Sequence, residues 1–214
     1  MYKNYLKRVI DIILSLILIP IIIPIIAVFS LIIKSEDYGP IFYVSGRLGK
    51  DGKIFKMYKL RSMKVGAPDL RNKDGSTYNS ANDDRLTKVG KFIRKTSIDE
   101  LPQIFNILKG DMSFIGPRPD LPEHYFYYEN DEYRKLDVLP GVSGYNQAYH
   151  RNTVAWKGRI QNDLYYVNNL NFMLDLKIFY RTIFVIILRR GVYSGGQSSK
   201  QVSVNEIYRT TESI

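Results

Sequence analysis

Residues 12–33 read IILSLILIPIIIPIIAVFSLII, 22 positions without one charged side chain. A helix of about 20 apolar residues matches the hydrocarbon thickness of a bilayer. The run is too long for the apolar part of a typical signal peptide, and no small-x-small cleavage pattern precedes Lys34, so the segment is expected to stay attached. Lys3, Lys7 and Arg8 precede it and Lys34 follows it. Positive charge is retained in the cytoplasm, which puts the N-terminus there but gives little contrast between the two ends. Pro20 and Pro24 each remove a backbone donor and press on the preceding turn, which predicts a sharp bend. A helix broken there has arms of about ten residues, roughly 15 Å each, against a core of about 30 Å, and neither arm spans alone. The segment then dips into one leaflet and returns. A single kinked span is the alternative, and the segment taken alone favours it, because membrane helices tolerate proline. Asp11, at the edge of the run, is expected to pair with Lys7 or Arg8.

Outward from this segment the composition changes. The whole chain has 214 residues, 45% apolar and 24% charged, enough for one globular domain with an appendage and too apolar for general disorder. Its 31 Lys and Arg against 21 Asp and Glu leave a net charge of +10. That excess favours a polyanionic partner: nucleic acid, anionic lipid or a phosphorylated substrate. With no cysteine, a disulfide scaffold, a thiol nucleophile and Cys-ligated metal centres are excluded, and His124 and His150 are too few for a His-rich site. Any metal should be a hard cation held by oxygen.

The remainder reads as short mixed elements without an internal repeat. Gly39-Pro40 opens a strand over 41–44, and Gly49-Lys50-Asp51-Gly52 turns the chain into a second alternating strand over 54–60, predicting a hairpin. Residues 66–84 are polar and turn-rich, a long surface loop. Helices are expected over 86–95 and over 101–109, the latter stopped by Gly110. In residues 174–190, Phe179, Ile183, Phe184 and Ile187 share a face while Lys177, Arg181, Arg189 and Arg190 supply cations. Such a helix suits an anionic membrane surface, or packs on the domain with solvated cations. Beyond Gly195-Gly196 the chain is polar and reads as a loose tail. The expected divisions are 1–34, a membrane-embedded helix broken near Pro20 and Pro24; 35–196, a folded domain; and 197–214, the tail.

No GxxxxGK[ST] or GxGxxG occurs, so phosphate would need side-chain ligands. Three stretches offer them: Tyr58-Lys59-Leu60-Arg61-Ser62-Met63, Thr96-Ser97-Ile98-Asp99-Glu100-Leu101-Pro102, and Gly110 to Pro119. Ser97-x-x-Glu100 matches a capping box, in which case the acids merely complement a helix start. Pro102 falls where a helix capped by Ser97 would need a donor, so the helix can instead begin near Pro102 and leave Asp99 and Glu100 at its mouth. A carboxylate there can attack phosphorus or hold a divalent cation. In Gly116-Pro117-Arg118-Pro119 two prolines fix the backbone around a guanidinium fork suited to two phosphate oxygens. Lys59 and Arg61 alternate along a strand and should face the same side.

These stretches strongly resemble the bacterial sugar transferase family, the small monotopic phosphoglycosyl transferases that begin glycan assembly on a polyprenol phosphate. The resemblance covers nearly the whole chain: Lys7-Arg8-x-x-Asp11, Gly39-Pro40-Ile41-Phe42-Tyr43, Tyr58 to Met63, Asp84-Arg85-Leu86-Thr87-x-x-Gly90, Arg94 to Gln103, Asn106-x-Leu108-Lys109-Gly110-Asp111-Met112-Ser113, Gly116 to Pro119, and Pro140-Gly141-Val142-Ser143-Gly144.

The resemblance implies an α+β protein: an N-terminal re-entrant membrane helix, then a compact, mostly helical cytosolic domain with a small β-hairpin and amphipathic helices on the membrane surface. It implies a bacterial inner-membrane location with the catalytic domain on the cytosolic face. Asp99 matches the nucleophile that attacks the β-phosphate of a UDP-sugar, releases UMP and holds the sugar phosphate until undecaprenyl phosphate takes it. Glu100 matches the second acid of the dyad, and the pair is expected to hold Mg²⁺. Arg118 matches the family's Pro-Arg-Pro arginine, and Lys59, Arg61, Arg85 and Arg94 fall at basic positions suited to phosphate. Gln147, His150 and Arg151 fall in a region that the resemblance ties to choice of nucleotide-sugar, although Tyr149-His150-Arg151 stands where Asn-Gly-Arg is usual. Asp163 and Tyr166 fit the family's C-terminal pattern. Pro24 matches the family's breaking position, preceded here by Ile23 rather than Ser, with Pro20 additional. A direct ternary-complex transfer, with Asp99 only a metal ligand, is the alternative within enzymes. A membrane-anchored basic protein binding nucleic acid or lipid has no use for an acid pair amid cations, so no nucleic-acid partner is expected. The sugar, the pathway and the oligomeric state are not written in these residues.

Overall fold

The computed structural model describes residues 1–72, 77, 78, 80, 82–150, 154–187, 202 and 203. The apolar run folds as one helix, α1 (Lys7–Asp37), preceded by a π-helical turn over Tyr2–Leu6 and ended by Tyr38 in the left-handed region. By length and composition it could cross a membrane. Helical backbone continues through Pro20 and Pro24, both exposed and both inside the one helix. Prolines four residues apart share a face. The lost donors therefore fall on one stripe.

Both ends of α1 meet the same domain. Near the start, Arg8 donates to the carbonyls of Ile107 (2.5 Å) and Leu108 (2.8 Å) in the last turn of a helix of the domain. Asp11 is buried and accepts from Ser113 Oγ (3.0 Å) and the Phe114 N–H (3.1 Å). The expected pairing of Asp11 with Lys7 or Arg8 is thus corrected: the domain supplies its donors, and Lys7 lies 2.5 Å from Asp175. Near the other end, Ile26 and Ile33 pack with Leu60 and Ile93, and Glu36 accepts from the N–H groups of Lys88 (2.7 Å) and Val89 (3.3 Å).

The hairpin pairs β1 (Phe42–Leu48) with β2 (Ile54–Leu60) antiparallel, from Phe42 opposite Leu60 to Leu48 opposite Ile54. The first strand is longer than expected and the turn begins at Gly49. In the 66–84 loop a short β3 (Leu70–Arg71) pairs antiparallel with a strand at Val202–Ser203; the rest of the tail lies outside the described residues. Helix α2 (Lys88–Lys95) is capped by Thr87, whose Oγ1 accepts from the Gly90 N–H at 2.9 Å. Helix α3 (Gln103–Lys109) has Pro102 at its N-cap and stops at Gly110, whose φ of 91° suits a residue without Cβ.

Next, β4 (Ser113–Ile115) runs parallel to β5 (Gly141–Ser143). The crossing needs glycine: a Cβ on Gly116 would lie 2.4 Å from the Leu139 carbonyl oxygen, and one on Gly141 would lie 2.1 Å from the Gly116 nitrogen. Two 3-10 segments, Pro122–Tyr127 and Asn130–Asp137, separate the pair, and α4 (Tyr145–Tyr149), α5 (Trp156–Asn169) and α6 (Phe172–Ile187) follow. Ile115, Val138, Tyr166, Val167 and Ile178 form a core beneath these helices. On α6, Ile178 is fully buried while Phe179, Tyr180, Ile183 and Phe184 are exposed, so one face packs on the domain and the other stays apolar toward the outside. Arg189 and Arg190 lie outside the described residues. The fold is the mixed one expected, helices with small sheets behind an N-terminal apolar helix.

Candidate active site

Asp99 and Glu100 share one 3-10 turn, Ile98–Glu100, entered through Ser97 at a left-handed φ of 59°. Ser97 makes no side-chain cap bond, and the Glu100 carboxylate is engaged elsewhere, so the two do not form a capping box. Asn106 of α3 fixes what faces them. Its side chain accepts from the Tyr58 N–H (3.1 Å) and donates to the Lys56 carbonyl (2.7 Å), holding β2 against the helix that the acids precede. Lys59 Nζ then sits 2.6 Å from Glu100 Oε1, and Arg118 Nη2 lies 3.4 Å from the same oxygen. Arg94, from α2, donates to Ser62 Oγ at 3.0 Å.

Charge divides the two acids. Burial works against the anion at Glu100, but Lys59 and Arg118 outweigh it and hold the carboxyl down to about 2. Burial pushes Asp99 up to about 6 and the Glu100 anion adds to the rise, while Lys59, Arg94 and Arg118 pull the other way. Asp99 is only 7% exposed, and its carboxylate makes no hydrogen bond to a described residue. Glu100 is thus a fixed anion, and Asp99 a buried carboxylate not tied down by hydrogen bonds to described residues.

The dyad opens into a cavity of about 870 Å³, within the range of ligand clefts. Lys59, Arg94 and Arg118 line it, and Ile22 of α1 forms part of the wall, so the cavity reaches the apolar helix. Asp99 is therefore buried at a cavity wall and not in closed core. Two other expected phosphate ligands also reach the wall, but their guanidinium groups are occupied. Arg61 bonds both carboxylate oxygens of Asp37 (2.5 and 2.6 Å) and the carbonyls of Pro40 and Met63. Arg85 bonds both oxygens of Asp83 (2.9 and 2.7 Å) and the carbonyls of Pro68 and Tyr78. Arg61 thus ties the end of α1 to the hairpin, and Arg85 ties down the 66–84 loop.

Gln147 lines the cavity, whereas His150 is not part of its wall and stands beside the Tyr145 ring, centroids 6.0 Å apart. Arg151 lies outside the described residues. Tyr166 donates to Asp175 (2.7 Å) and to the Ile115 carbonyl (3.2 Å), just ahead of the Gly116 to Pro119 turn. Asp120 escaped notice in the sequence. It follows that turn directly and accepts from Lys135 (2.5 Å), Tyr128 (2.7 Å) and Trp156 Nε1 (3.2 Å).

Among the described residues no group of three His, Cys, Asp or Glu stands ready to hold a metal. Asp99 and Glu100 are hard oxygen donors, and Mg²⁺ is commonly held by one or two carboxylates together with substrate phosphates, so the pair fits Mg²⁺ in company with a phosphate.

The family model described as bacterial sugar transferase matches residues 2–189, and the chain belongs to that family. It is 37% identical over 187 residues to the uncharacterized sugar transferase EpsL of Bacillus subtilis, covering 87% of this chain and 90% of the relative. It is 38% identical over 200 residues to the undecaprenyl-phosphate galactose phosphotransferase of Salmonella typhimurium, covering 88% of this chain but 42% of the relative. The galactosyl transferase CpsE of Streptococcus agalactiae is 39% identical over 175 residues, with 78% of this chain and 39% of the relative covered. The chain thus spans about two fifths of the length of the latter two relatives.

Proposed function

We propose that this chain is a membrane phosphoglycosyl transferase that moves a sugar phosphate from a UDP-sugar to undecaprenyl phosphate, releasing UMP, as a first membrane step of bacterial glycan assembly. The observation that carries this is an unbonded, buried Asp99 carboxylate beside the Lys59–Glu100–Arg118 cluster, in a cavity whose wall includes the apolar helix. The relatives named for undecaprenyl-phosphate transfer support the acceptor.

In the proposed first step an Asp99 oxygen attacks the β-phosphorus, the bond to the oxygen bridging the α-phosphate breaks, and UMP leaves with that electron pair. In the second, an oxygen of the polyprenol phosphate attacks the same phosphorus and Asp99 returns as a carboxylate. Lys59, Arg94 and Arg118 bring positive charge to the phosphate oxygens as negative charge shifts among them. Glu100, held ionised, keeps Lys59 and Arg118 in place. Mg²⁺ held by Asp99 and Glu100 would supply further neutralisation of the diphosphate.

The proposal includes a re-entrant α1 at the cytosolic face of the inner membrane. Contacts of Arg8 and Asp11 at one end, and of Glu36 and Asp37 at the other, with a single domain support it, because a straight span would separate those ends by a bilayer.

The test is UMP release without acceptor. Asp99→Asn should abolish it, and the wild-type protein should gain the mass of one sugar phosphate. Release retained by the variant would remove Asp99 as nucleophile, and turnover without any adduct would favour direct transfer.

A further inference from the structure

The Pro117-Arg118-Pro119 turn is pinned on both sides, and the two pins differ in kind. Upstream the pin is backbone: the Gly116 N–H donates to the Ser143 carbonyl (2.8 Å) and the Gly141 N–H to the Pro117 carbonyl (2.9 Å), so β5 holds the chain as it enters. Downstream the pin is Asp120. Its carbonyl accepts from the Leu48 N–H at the end of β1 (2.9 Å), and its carboxylate enters a socket of donors. Lys135 Nζ (2.5 Å) and Tyr128 Oη (2.7 Å) reach Oδ2, Trp156 Nε1 (3.2 Å) reaches Oδ1, and His124 Nδ1 stands 3.7 Å from Oδ1. Pro117 and Pro119 are buried, while the Arg118 side chain between them is half exposed.

The socket does not serve a phosphate directly. The Lys135 side chain is only 4% exposed, and its ammonium is held between Asp120 and Asp163 (2.9 Å), so its charge is already neutralised. Nor is stability a sufficient reason for such a socket. Well-packed apolar side chains match or better a buried ion pair, whereas directional bonds onto one carboxylate select a single geometry. Lys135 comes from the 3-10 segment Asn130–Asp137, Tyr128 from the end of the segment before it, and Trp156 from the start of α5. Three separate pieces of chain therefore converge on the residue two positions after Arg118.

Resting on the transferase reading, we infer that Asp120 is the positioning residue of Arg118: the socket around its carboxylate fixes where the turn sits, and the turn fixes where the guanidinium meets Glu100 and the donor's phosphate. With proline on both sides of Arg118 the backbone has little freedom of its own, so a shift at Asp120 passes to the guanidinium instead of being absorbed. A displacement of about 1 Å at a positioned group can cost on the order of a hundredfold in rate. Asp120→Asn keeps the shape of the side chain and gives up its charge. Lys135 still has Asp163 in that variant, so no ammonium is stranded.

The experiment uses the full-length protein in detergent and measures UMP release from whichever of UDP-glucose, UDP-galactose, UDP-N-acetylglucosamine and UDP-N-acetylgalactosamine is used fastest. Asp120→Asn should lower kcat/KM at least tenfold. In an Arg118→Lys background, where the guanidinium fork is already gone, the same change should cost no more than twofold. A loss that came from less folded protein, or from a contact between Asp120 and the substrate, would multiply by the same factor in both backgrounds, so the coupling separates positioning from either. If Asp120→Asn does not fold, Tyr128→Phe removes one donor and keeps the ring; it should cost at least threefold alone and under twofold beside Arg118→Lys. The inference is overturned if the folded variant keeps wild-type kcat/KM, or if its loss is undiminished in the Arg118→Lys background. Wild-type release of UMP from none of the four donors would instead bring down the transferase reading, and this assignment with it.

Discussion

Lys59 Nζ lies 2.6 Å from Glu100 Oε1 and is also the strongest of the cations drawing Asp99 toward its ionised form, so one ammonium serves both acids. On the proposed mechanism Asp99 must be ionised to attack phosphorus, and its carboxyl is raised from 3.8 to about 6, by burial first and then by the Glu100 anion. Activity is therefore gained as pH rises through that region and lost below it. The acid limb of kcat/KM for UMP release should fall near pH 6. Lys59→Met takes away a lowering influence, so the limb should move to higher pH while the plateau falls. A limb unchanged in position would dissociate Lys59 from Asp99.

Arg118 is half exposed and reaches Glu100 at 3.4 Å, leaving guanidinium edges turned to the cavity. A fork can hold two oxygens of one phosphate and an ammonium cannot. Arg118→Lys should cost about 10- to 100-fold in kcat/KM for the donor, of the order of 1.4–2.7 kcal/mol, with an unchanged melting temperature. A variant within threefold of wild type would remove the bidentate role.

Arg85 and Asp83 are both buried, so Arg85→Met would strand a carboxylate in the protein interior. That should destabilise the fold by about 3–5 kcal/mol, read from denaturant unfolding in detergent. A phosphate ligand facing a solvent-filled cavity would instead lose donor affinity with little change in stability, so the two measurements separate the roles.

The chain has no cysteine, which makes single-cysteine topology mapping direct. Lys3→Cys and Ser35→Cys lie beyond the two ends of the uncharged run and both sites are exposed. In sealed inverted vesicles a membrane-impermeant maleimide should label both. Labelling of one only, with the other reached after detergent is added, defeats the re-entrant arrangement.

What the sequence revealed and what it hid follow the reach of the interactions. The hairpin, the start of α3 at Pro102, its stop at Gly110 and the acid pair at its mouth depend on neighbours within a few positions, and each is where local chemistry puts it. Arg61 looked like Lys59 because it stands two positions on, just past the end of β2, and its partner Asp37 lies at the end of another element. Lys7 likewise finds Asp175 across 168 residues of chain, which no spacing rule anticipates. The partner of Arg85 was within local reach, since Asp83 stands two positions away.

Glu36 closes the first turn of α2, and Ile26 and Ile33 cover Leu60 and Ile93. The greasy helix is consequently a structural wall of the enzyme as well as its mooring. Deleting the first 37 residues to obtain a water-soluble form would take the Glu36 carboxylate from the first turn of α2, strip Arg61 of its counter-ion and bare a sticky seam beside the acid dyad. Solubilisation of this molecule should begin from lipid mimics, not from scissors.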